Sequence, residues 1–516
     1  MAVAVVGDRK LNMADGTRLY DALCNNGIFI DAPCGGTGKC GKCKVKAFGE
    51  LSPLSDTELA LLSDQEIKNN VRLSCECYVL GECQVDIMSN AQIHTHTDFS
   101  DMDLPLSDSQ KTEGYGMAVD IGTTTVAAYF YDLKTARSVD IKSAMNAQRE
   151  FGADVISRIA RIDESGDNLD AMANSICNQI NGFIDEVGVE VCCAVIGANT
   201  TMLHILARLN PSSIAKSPFT PQSLFGIEYR GDQLGLKVSG GVYLAPCISA
   251  YVGGDITAGM TACDMDKLTN TVKNIFYIDI GTNGEMALLS NGVIYCCSTA
   301  AGPAFEGASI SCGTGSIPGA VNRVYIENGD IAYKTVGDKA PCGICGSGLI
   351  DAVACMLSLG VIDETGRLLD DDELPKNLQY RLNDEGFVIA DNVVLTQKDI
   401  REVQLAKAAI AAGTDCLFNK AQINFADTDK AIVAGGFGAS VNMENAAKIG
   451  LIPKQFCDCI EFIGNGSGLG ASKALLSEQF KLRLDGISEK CSYMELSGDS
   501  YFSDRYIERM IFEELE

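Results

Sequence analysis

Four cysteines in the N-terminal part constrain the fold of this 516-residue chain more than any other feature. Cys34, Cys40 and Cys43 lie within one glycine-rich stretch, and Cys75 follows in the sequence Arg72-Leu-Ser-Cys75. Thiolates are metal ligands, and four of them on one centre require the fold to bring a loop and a distant segment together. The interspersed glycines allow backbone N–H groups to turn toward the sulfur atoms of such a centre.

The spacing of these cysteines is close to the plant-type 2Fe–2S ligand pattern, with five residues instead of four in the first gap. It predicts that all four bind a 2Fe–2S cluster. Cys77 and Cys83 are near enough to compete for the fourth position, and Cys75 is preferred because Arg-Leu-x-Cys is typical of ferredoxins. Zinc is the alternative, but zinc sites usually combine two Cys-x-x-Cys pairs, and Cys40-x-x-Cys43 has no second pair of matching spacing here.

Short strand and helix signals surround the cysteines. Residues 17–26 have helical spacing and end at a glycine. Two capping boxes open further short helices: Ser55-x-x-Glu58 and Ser63-x-x-Glu66. Short strands around a helix and a cysteine loop favour a β-grasp ferredoxin domain over residues 1–90. The polar composition of residues 91–114 predicts a linker.

A second motif occurs twice, each time between two predicted strands. Its copies are Asp120-Ile-Gly122-Thr-Thr124 and Asp279-Ile-Gly281-Thr-Asn283. Glycine lets the backbone approach a phosphate chain, threonine hydroxyls and amides donate to phosphate oxygens, and an aspartate can hold Mg²⁺ through water. Two ordinary glycine turns are the alternative, but their repetition in matching hairpins indicates an internal duplication.

A glycine-rich turn at residues 435–438 is suited to lie against an adenosine and completes a three-part pattern similar to that of the actin, sugar-kinase and Hsp70 (ASKHA) superfamily. The sequence therefore predicts an α/β multidomain protein, in which the ferredoxin domain precedes a duplicated RNase H-like, actin-like ATPase fold. We expect the first half at residues 115–206 and the C-terminal actin-like domain at 207–516. ATP and Mg²⁺ are the predicted ligands, and Asp120 and Asp279 are candidate catalytic residues. The predicted nucleotide-binding residues are Gly122, Thr123, Thr124, Gly281, Thr282, Asn283, Glu285, Gly435, Gly436 and Gly438.

Several other segments, most of them glycine-rich, have more than one interpretation. Residues 301–307 and 343–351 open apparent helices, and they either complete the nucleotide site, face a partner or pack between domains. Residues 464–470 are either a second adenosine contact or a plain helix start. Asp255 either orients water or a metal ion, or caps a helix.

The formal net charge of −27 argues against nucleic acid and against anionic membranes as partners. It permits nucleotide binding, because phosphates are held locally by backbone N–H groups and Mg²⁺. The chain contains 22 cysteines, and we recognise no secretory signal and no apolar run long enough to span a bilayer. We therefore expect a protein of the reducing cytoplasm of an anaerobe, where thiols and an exposed cluster both survive.

Together these motifs resemble one family, the ATP-dependent reductive activators of corrinoid proteins, over essentially the whole chain. The resemblance also rests on other segments: residues 146–148, 151–158, 197–202, 301–303 and 343–348. It implies one-electron reduction of Co(II) to Co(I) in a corrinoid methyl-carrier protein through the 2Fe–2S cluster, with slow ATP hydrolysis, in support of corrinoid-dependent methyl transfer or O-demethylation. It also makes Ser347 a candidate for contacting the cobalt face.

Two other functions are compatible with the motifs. One is activation of a different low-potential enzyme, such as a dehydratase. The other is an electron-transfer scaffold whose actin-like domain binds a partner without ATP turnover. The sequence leaves open which donor reduces the cluster and whether the chain forms a homodimer.

Overall fold

The computed structural model of the protein describes residues 2–7, 9–26, 28, 30, 38, 41, 43–87, 113–267, 272–435 and 441–515. The chain divides into two compact units, one from residues 1–92 with 145–175 and the other from residues 93–144 with 176–516. Cys34, Cys40, Gly436, Gly438 and residues 91–112 of the predicted linker lie outside the described residues. None of the helices in the described ranges combines the length and the apolar character that crossing a bilayer requires.

The N-terminal residues form a small mixed sheet with three helices. The strands are β1 (Ala2–Val6), β2 (Arg9–Met13), β3 (Thr17–Arg18), β4 (Lys44–Leu51), β5 (Val71–Leu73) and β6 (Tyr78–Ile87), and the helices are α1 (Leu19–Asn25), α2 (Asp56–Leu61) and α3 (Asp64–Lys68). The sheet order is β2-β1-β6-β4-β5, and β3 also pairs with β6. β1 and β6 are parallel and the other pairs are antiparallel, as expected for a β-grasp ferredoxin domain.

Alternation along β6 shows why this sheet has one apolar face. Val79, Cys83 and Val85 are buried in the core, whereas Leu80 and Glu82 point to solvent, because successive side chains of a strand point to opposite faces. Cys83 is therefore a residue of the hydrophobic core of this domain.

Glu58 does more than close the capping box that the sequence predicts. It caps α2 together with Ser55, and its carboxylate also accepts hydrogen bonds from Arg72 Nε at 2.8 Å and from the Leu73 backbone N–H at 2.9 Å. The Glu58 side chain is fully buried and that of Arg72 is 10% exposed. Burial by itself would raise the pKa of Glu58, but the hydrogen bonds from Arg72, Ser55 and Leu73 hold it below its ordinary value. This pair ties α2 to β5, the strand that leads to Cys75.

We expect Glu58→Gln to destabilise the ferredoxin domain by about 3–5 kcal/mol, because it leaves the buried Arg72 charge without a counter-ion. The matched control is Glu66→Gln. Glu66 occupies the same position in the second capping box, but its ion pair with Lys44 is partly exposed and should contribute about 0–1 kcal/mol. Native-state hydrogen exchange of β4 and β6 amides measures both changes, and equal effects would contradict the prediction.

The first half of the larger fold is built on a six-stranded sheet in the order β11-β12-β10-β7-β8-β9. Its strands are β7 (Tyr115–Ile121), β8 (Thr125–Asp132), β9 (Arg137–Met145), β10 (Val191–Ala198), β11 (Ile227–Arg230) and β12 (Gly241–Leu244). The helices of this part of the chain are α4 (Val155–Glu164), α5 (Asp167–Val187), α6 (Thr200–Leu206), α7 (Gly231–Leu234) and α8 (Gly254–Ala262). β11 and β12 follow the boundary expected at residue 206 and extend this sheet.

The second half contains a sheet in the order β22-β21-β13-β14-β15-β23, a three-stranded sheet β17-β16-β18 and the pair β19-β20. Its strands are β13 (Ile275–Ile280), β14 (Gly284–Ser290), β15 (Val293–Thr299), β16 (Ala320–Glu327), β17 (Asp330–Thr335), β18 (Gly343–Ile344), β19 (Phe387–Ala390), β20 (Val393–Leu395), β21 (Lys430–Ala434), β22 (Ile460–Gly464) and β23 (Cys491–Tyr493). The helices are α9 (Gly346–Ser358), α10 (Gln397–Ala421), α11 (Met443–Lys448), α12 (Gly466–Leu476), α13 (Glu478–Ile487) and α14 (Ser500–Glu508).

The two large sheets repeat one arrangement. In each, three consecutive strands, β7-β8-β9 or β13-β14-β15, lie side by side, and parallel strands follow on the side of the first, β10 and β12 or β21 and β22. This repetition confirms the duplicated α/β fold that the two Asp-x-Gly-Thr hairpins predict.

Small residues let helix α12 approach the rest of the fold closely. A Cβ atom on Gly470 would lie 2.2 Å from the Ala258 carbonyl oxygen in α8, and one on Gly468 would lie 2.6 Å from the ring of Tyr129 in β8. Such contacts exclude any side chain at these positions. The N-terminus of α12 is consequently held beside the first hairpin.

Candidate functional site

Two of the predicted cluster ligands, Cys43 and Cys75, lie side by side. Their Sγ atoms are 3.2 Å apart, and both residues are buried. The Ser74 N–H donates to the Cys43 carbonyl at 2.9 Å, and the Tyr20 N–H donates to the Ser74 carbonyl at 2.9 Å, so β5 and α1 position this pair. Two thiolates about 2.3 Å from one tetrahedral metal ion lie roughly 3.8 Å apart. The pair therefore fits a shared iron with a small adjustment.

Cys77 is the competing candidate. It is fully buried in the apolar core, and burial raises the pKa of its thiol to about 12. Cys43 and Cys75 are buried in the same core, so burial alone does not separate the candidates. The observation that supports Cys75 as the fourth ligand is the contact of its Sγ atom with Cys43 Sγ.

Asp120 of the first hairpin is held by the N-terminus of α12. The Asn465 side-chain amide donates to Asp120 Oδ2 at 2.8 Å, while Asn465 Oδ1 accepts from the Gly468 N–H at 2.7 Å and so caps the helix. In the same hairpin, the Thr123 hydroxyl accepts a hydrogen bond from the Asn199 side chain at 3.1 Å. Asn199 in turn caps α6.

Asp279 of the second hairpin lies opposite Glu285 on β14 and beside Ala434 on β21. Gly435 follows Ala434 with a φ of 97°, and a Cβ atom there would lie 2.9 Å from Asp279 Oδ1. Both the backbone conformation and the space therefore require glycine at this position. The predicted contact residue Gly435 is thus adjacent to a predicted phosphate-loop carboxylate.

Glu306 joins the two hairpins. Its carboxylate accepts a hydrogen bond from the Thr124 hydroxyl at 3.2 Å and another from the Thr282 hydroxyl at 3.1 Å. The corresponding loops of the two duplicated halves are thereby brought to one acidic side chain.

The carboxylates between the hairpins raise one another's pKa values. Burial raises the pKa of Asp279 to about 8, with further contributions from Asp255, Asp120 and Glu306. Burial, followed by the charge of Asp120, raises the pKa of Asp255 to about 7. Burial and the charges of Asp255 and Asp279 raise the pKa of Glu285 well above its ordinary value. Burial also raises the pKa of Asp120, despite the hydrogen bond from Asn465.

A group of buried acids that lie this close together is suited to binding a cation. Within the described ranges, no salt bridge reaches Asp120, Asp255, Asp279 or Glu285. The same ranges contain no group of three side chains spaced to bind a metal ion directly. The arrangement is therefore suited to a hydrated Mg²⁺ held by carboxylates through water, together with the phosphates of a nucleotide.

Ser347 is located elsewhere in the fold. It lies in the first turn of α9, is 4% exposed, and its hydroxyl donates to the Asn322 carbonyl at 3.0 Å. The hydrogen bonds that its side chain forms, with Asn322 and Cys345, do not reach the carboxylates between the hairpins directly. Its predicted role at the cobalt face stays a prediction.

The sequence did not identify Asn465, Asn199 or Glu306 individually. Asn465 and Glu306 lie in glycine-rich segments that the sequence analysis names. The signal for Asn465 was an asparagine, a common helix-capping residue, before a glycine-rich helix start. Their contacts with Asp120 and Thr124 span too much of the chain to be inferred from local pattern. Asp255, which had two interpretations, belongs to the acidic group.

Comparison with known proteins identifies the domains. Three family models match successive parts of the chain: a 2Fe-2S iron-sulfur cluster binding domain at residues 5–80, the RACo middle region at 115–268, and the C-terminal domain of RACo, the ASKHA domain, at 273–516. The chain belongs to the RACo family.

Relatives that match over most of the chain support this RACo assignment. The chain is 29% identical to the corrinoid activation enzyme RamQ of Eubacterium limosum, with 98% of each chain covered. It is 27% identical to the Co(II) methylated amine-specific corrinoid protein reductase of Methanosarcina barkeri over 73% of this chain and 72% of that one. The solved structure of a reductive activator for corrinoid,iron-sulfur protein matches with a TM-score of 0.71 and 29% identity, covering 100% of this chain and 99% of that chain.

We expect Cys75→Ala to abolish the visible absorbance of the 2Fe–2S cluster of this RACo-family protein after anaerobic purification, whereas Cys77→Ala should retain it. The first change removes a thiolate next to Cys43, and the second only shortens a core side chain, at a cost of about 1 kcal/mol. Iron and sulfide analysis checks both variants. If only the Cys77 variant lost the cluster, Cys77 and not Cys75 would be the fourth ligand.

We expect Asp279→Asn to raise the melting temperature of the nucleotide-free protein at pH 8 by a few °C, and by less at pH 6. Asp279 has a pKa of about 8 in the folded protein and about 3.9 when unfolded. Its ionisation therefore destabilises the fold increasingly as pH rises through this window.

Asp351→Asn is the matched control for this prediction. Asp351 is a buried aspartate whose carboxylate accepts hydrogen bonds from Asn445 and from the Val324 N–H. Its variant should keep the rise in melting temperature that Mg·ATP produces in the wild type, whereas the Asp279 variant should lose it. If Mg·ATP raised the melting temperature of the Asp279 variant as much as that of the wild type, Asp279 would not belong to the nucleotide site.

Proposed function

We propose that this protein reduces the cobalt of a corrinoid methyl-carrier protein from Co(II) to Co(I) in an ATP-dependent reaction and so restores it for methyl transfer or O-demethylation. The observation that carries this proposal is the convergence of both phosphate-loop motifs on one acidic site, in a chain that begins with a ferredoxin domain. Full-length relatives whose names describe corrinoid activation support the same conclusion.

The residues of the ferredoxin domain fit the cluster. Cys34, Cys40, Cys43 and Cys75 would hold the 2Fe–2S cluster, which supplies the single electron when bound. Burial of Cys43 and Cys75 shields that side of the centre from water, and the Glu58–Arg72 pair fixes the segment that carries Cys75.

The residues between the duplicated hairpins fit ATP and Mg²⁺. Thr124 and Thr282 can donate to phosphate oxygens, and Asp120, Asp255 and Asp279 can hold the hydrated cation. Gly435 lets the end of β21 lie directly against Asp279.

The redox balance explains a need for ATP. Plant-type clusters have potentials near about −400 mV, and we expect the Co(II)/Co(I) couple to lie lower. Every ~59 mV of such a difference reduces the equilibrium constant of a one-electron transfer tenfold. ATP can counter this only if its bound states differ in affinity for the corrinoid protein.

We further propose that the protein works in the cytoplasm of an anaerobe, that a separate donor reduces its cluster, and that Ser347 contacts the corrinoid. Buried cysteines such as Cys177 and Cys247 form no disulfide, which fits a reducing compartment. A homodimer stays a prediction, as do the exclusion of nucleic acid and of membranes as partners.

The decisive experiment is anaerobic mixing of the reduced protein with a Co(II) corrinoid protein, following Co(I) absorbance with and without Mg·ATP. We expect Co(I) to form with wild type and Mg·ATP. Cys40→Ala should abolish formation altogether, because it removes a cluster ligand. Asp279→Ala should keep the visible bands of the cluster and lose the stimulation by ATP.

Two results would contradict the proposal. Equal Co(I) yield with and without Mg·ATP would separate the nucleotide site from the reaction. Nucleotide binding without cobalt reduction, by protein that retains its cluster, would favour the scaffold or another low-potential enzyme as the target.

A further inference from the structure

Glu306 lies between the two phosphate loops and accepts hydrogen bonds from threonines that are predicted to bind phosphate. We propose that Glu306 is a positioning residue that holds Thr124 and Thr282 together in the nucleotide-free protein and releases them when the phosphates of the nucleotide bind. This inference rests on the proposed nucleotide function of the same site.

The hydrogen bonds make Glu306 and a bound phosphate competitors for the same two hydroxyl donors. Thr124 Oγ1 donates to Glu306 Oε2 at 3.2 Å, and Thr282 Oγ1 donates to Glu306 Oε1 at 3.1 Å and to Oε2 at 3.2 Å. A hydroxyl has one proton to donate. A proton shared between Glu306 and a phosphate oxygen would bind each of them more weakly, so the two acceptors compete for the threonine hydroxyls.

Charge acts in the same direction as the hydrogen bonds. Glu306 is an anion close to Asp279, and its charge contributes to the raised pKa of that residue. A Cβ atom on Gly281, in the second phosphate loop, would lie 3.5 Å from Glu306 Oε1, so the carboxylate lies against the turn itself. A phosphate that enters this turn meets both competition for its donors and repulsion from the carboxylate.

The segment that follows Glu306 connects it to α9. The Thr314 N–H donates to the Ile344 carbonyl and the Ile344 N–H donates to the Cys312 carbonyl, each at 2.9 Å. The Ser311 N–H donates to Asp399 Oδ1 at 2.7 Å. Ile344 ends β18, and Ser347 lies at the start of the next helix.

The loop between Glu306 and this pairing is tightly closed. A Cβ atom on Gly313 would lie 2.2 Å from the Gly307 carbonyl oxygen. There is consequently little slack for residues 307–313 to absorb a displacement of Glu306. Release of Glu306 should therefore reach the paired strand β18 and the start of α9.

Binding of a fluorescent ATP analogue, measured by anisotropy in EDTA and again with Mg²⁺, tests the competition in the full-length protein. We expect Glu306→Ala to bind the analogue about tenfold more tightly than wild type in EDTA, because a hydrogen-bonded anionic competitor is removed. Glu306→Gln keeps an acceptor oxygen and should lie between the two. Glu327→Gln, which removes a carboxylate at an exposed position of β16, should equal wild type.

Hydrogen exchange of the same proteins tests the connection. In wild type, the nucleotide should increase exchange at residues 308–314 and 343–348. In Glu306→Ala, exchange there should be raised at least twofold without nucleotide and should change no further when nucleotide is added.

The outcomes separate this inference from the function on which it rests. Nucleotide binding by wild type with equal or weaker binding by a folded Glu306→Ala protein overturns the competition and leaves the proposed function intact. Weaker binding of that variant only when Mg²⁺ is present assigns Glu306 to the cation instead, which also overturns it. Absence of nucleotide binding by wild type overturns both proposals.

Discussion

The nucleotide-binding part of the fold depends on the crowding of carboxylates where the two duplicated hairpins meet. Asp120 comes from the first hairpin, Asp279 and Glu285 from the second, and Asp255 from the start of α8. Burial raises the pKa of all four, and neighbouring charges add to it for the last three. Such a group of acids lowers the stability of the ligand-free fold, and a cation bound among them would offset their repulsion. Because each half supplies an acidic residue, neither half forms the site alone.

Other buried acids of the protein show how a structural carboxylate differs. Glu58 is neutralised by Arg72, and Asp415 accepts hydrogen bonds from Arg505 and Arg509. These pairs place full counter-charges at hydrogen-bond distance, which offsets the cost of burying the carboxylates while connecting elements of the fold. The carboxylates between the hairpins have amide and hydroxyl neighbours instead, as the contacts of Asp120 with Asn465 illustrate. The carboxylates between the hairpins differ from such ion pairs because several of them lie close together.

The sequence predicts the parts of this protein that local pattern determines. The cysteine spacing, the capping boxes and the two Asp-x-Gly-Thr hairpins are short-range signals, and the ferredoxin domain and the duplicated sheets follow from them. The contact between Asn465 and Asp120 joins residues 345 positions apart, and no periodicity or motif encodes it. Glu58 shows the same limit, because its capping role is local whereas its ion pair with Arg72 is tertiary. The position of Glu306 between both loops likewise exists only once the halves have folded together.

The burial of Ser347 bears on how the nucleotide can act. If this residue contacts cobalt, as the resemblance implies, its hydroxyl must leave the Asn322 carbonyl and the start of α9 must be uncovered, since only 4% of the residue is exposed. The strand before it is paired with the segment that begins at Glu306. A nucleotide shifts an equilibrium only by the difference in its affinity for two states. The protein has such a pair of states if Thr124 and Thr282 bind Glu306 in one and phosphate in the other. The described contacts connect Glu306 to the start of α9, where Ser347 would have to be uncovered.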